Sequence, residues 1–218
     1  MSLSNSASHS SLAGAMNAVA VPGIRIGHRL IADGDERRLL PEEFGAFAAS
    51  VIKVRRASGA ARLVARELMP HFGCAPRAIP KSAAGMAVWP EGIVGSLAHD
   101  NEVAVAVMAA KSDFLSVGVD IEPAEPLEPG LLEIVATPNE RQGAAEDRLH
   151  GRLLFCIKEA VYKAVNPLDG VFLDHHDVEV NLAGGTALVR QGRQVDFRYG
   201  VADHIIALAF IPGRSTDI

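Results

Sequence analysis

Val117-Gly118-Val119-Asp120-Ile121-Glu122-Pro123 is the stretch that most restricts how this chain can fold. Val117, Val119 and Ile121 alternate with Gly118, Asp120 and Glu122, which is the two-residue period of a β-strand. Pro123 has no N–H to give to a ladder and closes the strand. The three branched residues predict a face turned to the core. Asp120 and Glu122 then share the opposite face, their Cα atoms about 6.6 Å apart at a rise of ~3.3 Å per residue. Two carboxylates so placed repel unless something positive lies between them, and a hard divalent cation such as Mg²⁺ takes oxygen ligands of this kind. Gly118 is expected to leave open space beside the pair. On spacing alone, a strand with a solvated acidic face stays open as the plainer reading.

A second segment, Phe155-Cys156-Ile157-Lys158-Glu159-Ala160-Val161-Tyr162-Lys163-Ala164, has helical periodicity. Leu154, Ile157, Val161 and Val165 fall on one apolar stripe at about 100° per residue. Glu159 and Lys163 lie opposite it, one turn apart; an exposed i, i+4 ion pair would have the same spacing. A further helix is expected over 50–69, with Ala57, Ala60, Ala61, Val64 and Leu68 as its apolar stripe. Arg55, Arg62 and Arg66 gather on the other side, where like charges destabilise unless an anion or solvent relieves them. Residues 94–98 and 102–108 read as a hairpin turned at Asp100-Asn101. Ser96 and His99 lie at its mouth, and Lys81 lies in the Gly/Pro-rich loop ahead of it.

Three motifs carry a family resemblance. G-V-D-I-E-P, followed by F-C-I-K-E-A-V-Y-K-A, resembles the paired signature of the phosphopantetheinyl transferases. Trp89-Pro90-Glu91-Gly92-Ile93-Val94-Gly95-Ser96-Leu97-Ala98-His99 is similar to a third motif of the larger, surfactin- and enterobactin-synthase-activating branch. The resemblance runs from Arg55 to Val165. It implies an α+β fold of two similar α/β subdomains forming an intramolecular pseudo-dimer, with the active site between them. The joint falls at Lys111-Ser112-Asp113, giving a flexible tail at 1–20, an N-terminal subdomain at 21–112 and a C-terminal one at 113–218.

The implied activity moves the phosphopantetheine arm of coenzyme A onto a serine of an acyl or peptidyl carrier protein. It is Mg²⁺-dependent and releases adenosine 3',5'-bisphosphate. By resemblance, Asp120, Glu122 and Glu159 would hold the metal. Arg55, Arg62, Lys81, Ser96, His99, Lys158 and Lys163 would contact coenzyme A. Glu159, Lys163 and His99 would serve catalysis, Glu159 as the base unless metal-bound hydroxide takes that part. Two rivals remain at this stage: a degenerate module that binds coenzyme A or a carrier without turnover, and a metal-dependent phosphohydrolase using the same carboxylates.

Bulk properties narrow the classes. A chain of 218 residues can bury a sizeable core, and its net charge of −5 argues against a general nucleic-acid binder. Its two cysteines, Cys74 and Cys156, have no metal-ligand spacing, which suits a reducing cytoplasm. No apolar run approaches the ~20 residues of a membrane helix, and both motif groups in one chain suggest a monomer. The remaining expectations are a strand within 21–31, a helix start at Leu40-Pro41-Glu42-Glu43, a short helix at 131–135 and a cap at Thr137-Pro138-Asn139-Glu140. The helix within 146–165 should break at 167–170. Strands should follow at 178–182, 187–190, 195–199 and 205–211, with His175 and His176 exposed.

Overall fold

The computed structural model describes residues 12–145 and 147–213. Within them the chain builds two antiparallel sheets and mixes them with helices, as an α+β reading requires. Strands β1 (Ile24–Leu30), β2 (Ile93–His99) and β3 (Val103–Ala110) form the first sheet in the order β1-β3-β2. Strands β4 (Phe114–Pro123), β5 (Val178–Asn181), β6 (Thr186–Val189), β7 (Gln194–Val201) and β8 (His204–Pro212) form the second in the order β4-β8-β7-β6-β5. Residues 12–18 form helix α1, followed by α2 (Pro41–Phe44), α3 (Ile52–Leu68), α4 (Leu131–Val135) and α5 (His150–Asp169). Helix α3 packs on the first sheet and α5 on the second.

The alternation in β4 does what its period predicts. Val117, Val119 and Ile121 are buried in an apolar core between the sheets, together with Val105, Val107, Ile206 and Leu208. The other face of β4 is neither open nor solvated. A Cβ on Gly118 would stand 2.0 Å from the Ala160 carbonyl oxygen and 2.6 Å from the Ala164 nitrogen, so α5 itself fills the space expected beside the carboxylates. Glycine is what lets the helix backbone approach the strand so closely.

Helix α5 buries Leu154, Ile157, Val161 and Val165 as its periodicity requires. It runs through Pro167 and ends at Gly170, which adopts φ 64° and donates its N–H to Asn166 O. Gly170, in the left-handed region, ends the helix, not the proline. The flexible tail expected at 1–20 also needs correction from residue 12 onward. Leu12, Ala15, Met16 and Val19 are buried at i, i+3, i+4 and i+7, an amphipathic stripe hidden in the Ser/Ala-rich composition. Residues 1–11 lie outside the described residues.

Two buried glutamates anchor the two helix–sheet layers in the same way. Glu43, fully buried, accepts from Leu40 N–H at 2.8 Å, Ile79 N–H at 2.8 Å and Arg66 Nη1 at 2.9 Å. Glu140 accepts from Thr137 N–H at 2.8 Å, Val180 N–H at 2.7 Å and Lys158 Nζ at 2.6 Å. Each glutamate thus caps the backbone three residues before it, binds a cation from the main helix of its half, and captures an N–H from a later segment. The basic face of α3 is therefore relieved partly from inside, because Arg66 is buried against Glu43. Lys158 needs a matching correction. It is 2% exposed and gives its other hydrogen bonds to the carbonyls of Val135 and His175, so no donor remains for coenzyme A.

Candidate active site

A cavity of about 590 Å³ opens between α3, the 81–89 loop, β2 and the C-terminal turns of α5. Both sheets' layers therefore contribute walls. Arg62, Lys81, Ser96, His99 and Lys163, five of the residues expected to contact a cofactor, line it, along with Lys111. The apolar lining includes Phe47, Trp89 and Leu115. Arg62 is buried, and its Nε donates to Ile79 O at 2.9 Å. Arg62 Cζ and Lys81 Nζ lie 4.7 and 4.4 Å from the centroid of the Phe47 ring. Although the Lys81 side chain is largely exposed, partial desolvation of its ammonium group, followed by the neighbouring Arg62 charge, lowers its pKa. Two cations brought together against an aromatic wall form a site suited to a phosphate.

Ser96 and His99 reach the cavity from β2. Ser96 Oγ accepts the Val119 N–H at 3.2 Å, a bond that ties the first sheet to β4 of the second. The His99 ring stands at the strand end with Nδ1 3.3 Å from Asp100 O. Surrounding protein lowers its pKa, and the Lys163 charge acts in the same direction. Arg55 does not line the cavity; it is half-buried, and its Nε is buried without a hydrogen-bond partner.

Two of the three expected carboxylates accept a hydrogen bond from a cation, and the third lies beside a histidine ring. Asp120 Oδ1 accepts from Lys163 Nζ at 2.6 Å, while Oδ2 is buried with no partner. Burial raises the Asp120 pKa against the pull of Lys163, and the charge of Glu159 adds to the rise. Glu122 Oε2 accepts from Arg152 Nη1 at 2.9 Å, and burial and then Asp120 raise its pKa. Glu159 Oε1 lies 3.3 Å from His175 Nε2, and the His175 ring is the chief reason its pKa is lowered. Among the described residues no three His, Cys, Asp or Glu side chains are gathered closely enough to hold a metal ion. Asp120, Glu122 and Glu159 are thus neighbours without forming a closed ligand cage. The orphaned oxygen of Asp120 is the feature that fits a cation, because a buried carboxylate oxygen is costly without a partner.

Three participants escaped the sequence reading. Arg152 shares a helical face with Glu159 and Lys163 at i, i+7 and i+11, a pattern that could have exposed it. His175, expected to be exposed, is stacked on Phe155 with ring centroids 5.4 Å apart. His204 pairs with Asp100 at 2.9 Å, joining the β2–β3 turn to the start of β8. The two histidines join the site only through tertiary folding and left no local signal.

Comparison with known proteins finds one family along the chain. Residues 41–109 match the 4'-phosphopantetheinyl transferase N-terminal domain, and residues 116–209 match the 4'-phosphopantetheinyl transferase superfamily. The 4'-phosphopantetheinyl transferase Npt of Nocardia iowensis is 41% identical over 143 residues, 64% of this chain and 64% of the relative. Svp of Streptomyces mobaraensis is 37% identical over 148 residues, 65% of this chain and 60% of the relative. PptT of Mycobacterium tuberculosis is 38% identical over 145 residues, 65% of this chain and 64% of the relative. In each case the chain spans less than two thirds of the relative's length. The chain belongs to the 4'-phosphopantetheinyl transferase superfamily.

Proposed function

We propose that this protein transfers the 4'-phosphopantetheine arm of coenzyme A to a serine hydroxyl of an acyl or peptidyl carrier protein. One observation carries the reading: a cavity walled by both layers and lined by Arg62, Lys81, His99 and Lys163, with Lys163 bound to a carboxylate that keeps one buried oxygen unpartnered. The serine oxygen forms the new P–O bond. The bond from that phosphorus to the bridging pyrophosphate oxygen breaks, and adenosine 3',5'-bisphosphate leaves. Arg62 and Lys81 would bind phosphate oxygens, and His99 and Lys163 would offset charge on the pyrophosphate. Glu159, held ionised by its lowered pKa, is the proton acceptor for the serine. Mg²⁺ would be held by Asp120 Oδ2 and Glu122 with Glu159 beside them, and when bound it supplies charge neutralisation at the pyrophosphate.

The same reading takes the molecule as an intramolecular pseudo-dimer divided at Lys111-Ser112-Asp113. The matching roles of Glu43 and Glu140 support that division, although one half carries three strands and the other five. A cavity completed within one chain supports a monomer. The two free cysteines suit a reducing cytoplasm. Among the described residues no helix is long and apolar enough to cross a membrane.

Mass spectrometry of apo-carrier proteins incubated with the enzyme, coenzyme A and Mg²⁺ tests the reading. Phosphopantetheine added at the carrier serine supports it. Phosphopantetheine released without a carrier would mark a hydrolase, and binding without either product a non-catalytic module.

A further inference from the structure

We infer that His175 is a positioning residue that fixes the orientation of the Glu159 carboxylate, and that Lys158 anchors the turn carrying it. The inference deepens the proposed transferase reading and rests on it for its kinetic part. His175 opens a 3-10 turn, His175–Asp177, that is tied down from several sides. Asp174 caps it by accepting from His176 N–H, and Asp177 returns a bond by accepting from Asp174 N–H at 3.1 Å. Lys158 Nζ donates to His175 O at 2.9 Å, and its other bonds lock it to Glu140 and Val135. The backbone of His175 is thereby joined to the residue directly before Glu159 in α5. Its ring is fixed separately, stacked on Phe155 one helical turn before Glu159.

The result is a ring nitrogen, Nε2, that is buried and lies 3.3 Å from Glu159 Oε1, near enough to pair with it but outside hydrogen-bond alignment. A glutamate on a helix surface has three rotatable side-chain bonds, so without a fixed neighbour its carboxylate samples several positions. Here the neighbour is supplied by a turn whose own geometry is set by a buried lysine. This gives Lys158 a use that its burial denies it as a cofactor ligand: its charge is spent inside the protein, and what it fixes is the frame around Glu159.

The test compares His175→Phe, which keeps a ring to stack on Phe155 and removes Nε2, with His175→Gln, which restores an N–H donor. Wild type, both variants, Glu159→Gln and the double variant His175→Phe/Glu159→Gln are assayed with apo-carrier, coenzyme A and Mg²⁺. Loss of a group that orients a reacting side chain costs about 10- to 100-fold. His175→Phe should lower kcat by that factor with KM for coenzyme A unchanged, and His175→Gln should recover most of it. In the Glu159→Gln background the Phe substitution should cost nothing more. A crystal structure of His175→Phe should show the Glu159 carboxylate displaced or disordered, with the turn intact. Wild-type kcat in His175→Phe, a full additional loss in the double variant, no recovery in His175→Gln, or an unmoved Glu159 would each overturn the assignment. Wild type that modifies no carrier would instead sink the transferase reading, and the crystal structure alone would then decide the role of His175.

Discussion

Lys163 Nζ lies 2.6 Å from Asp120 Oδ1, pinning α5 to β4, while Asp120 Oδ2 stays buried without a partner. The lysine satisfies half of a carboxylate and leaves the other half for a cation. The same lysine lines the cavity, so one side chain couples the acidic side of the site to the space where phosphates would lie.

From this pairing, Asp120→Asn should act mainly on metal use. The amide keeps a carbonyl oxygen that coordinates weakly but loses the anionic ligand. Its Mg²⁺ requirement should rise, and excess Mg²⁺ should restore part of its kcat. Glu159→Gln should behave differently, because loss of a general base costs about 10²–10⁴ in rate and metal cannot replace it. A Mg²⁺ titration of kcat for both variants, with an apo-carrier as acceptor, checks this. Full rescue of Glu159→Gln would show that it is only a ligand.

Lys81 and Arg62 flank the same Phe47 ring but should respond differently to truncation. Lys81 is exposed, so Lys81→Ala should raise KM for coenzyme A with little change in Tm. Arg62 is buried and bonded to Ile79 O. Arg62→Ala should lower Tm as well, because it strands a buried carbonyl at a cost of about 1–3 kcal/mol. Kinetics with coenzyme A and dephospho-coenzyme A, alongside thermal melts, separate the two effects. If the arginine reads the ribose phosphate, its loss should penalise coenzyme A more than the dephospho form.

Glu140 and Glu43 should be the most costly polar positions outside the cavity. Removing the charge of Glu140 leaves Lys158 as a buried cation without its counter-ion, and breaking such a pair costs about 3–5 kcal/mol. Glu140→Gln should therefore lower the denaturation midpoint strongly. Glu43→Gln should do the same through Arg66. Chemical denaturation of both variants measures this; a loss under ~1 kcal/mol for either would mean that the amide satisfies the network unaided.

The legible parts of the chain were those whose cause is local. The alternation in β4, the apolar stripe of α5, the Asp100-Asn101 turn and the 131–135 helix follow from side-chain period and turn chemistry, and all appear in the structure. Gly118 was misread because its reason is an approach by α5, a neighbour not set by local pattern. Arg66, expected on a face relieved by an anion or solvent, and Lys158, expected at coenzyme A, each meet a buried glutamate that is distant in sequence and gives no local signal. His175, expected to be exposed, and His204 each find a partner only after the sheets are assembled. The roles of the cavity-lining motif residues came through resemblance rather than through pattern, whereas period alone put Asp120 and Glu122 on one face, outside that lining.

The Asp100–His204 pair should make stability depend on pH in a defined direction. Asp100 Oδ1 accepts the N–H groups of Glu102 and Val103, both at 2.7 Å, and Oδ2 lies 2.9 Å from His204 Nε2. Asp100 is the main reason the His204 pKa is raised, against burial, with Glu102 and Asp203 adding to the rise. Burial opposes the ionisation of Asp100, but His204 and the two amides outweigh it and leave its pKa lowered. A raised histidine pKa means that the fold favours the protonated ring. That contribution is fully present below the unfolded value of ~6.5 and is lost as pH rises through the higher folded value. The carboxylate sets the other edge, its contribution present above ~3.9 and lost as pH falls through its lowered value. His204→Gln keeps a donor but cannot carry charge. The Tm gap between wild type and His204→Gln should therefore be widest near pH 5.5 and shrink steadily toward pH 8.5. The other histidines titrate in both proteins and largely cancel in the difference. Melts across that range in constant ionic strength provide the measurement, and a gap that stays constant with pH would mean that the pair is a neutral hydrogen bond, without an ionic component.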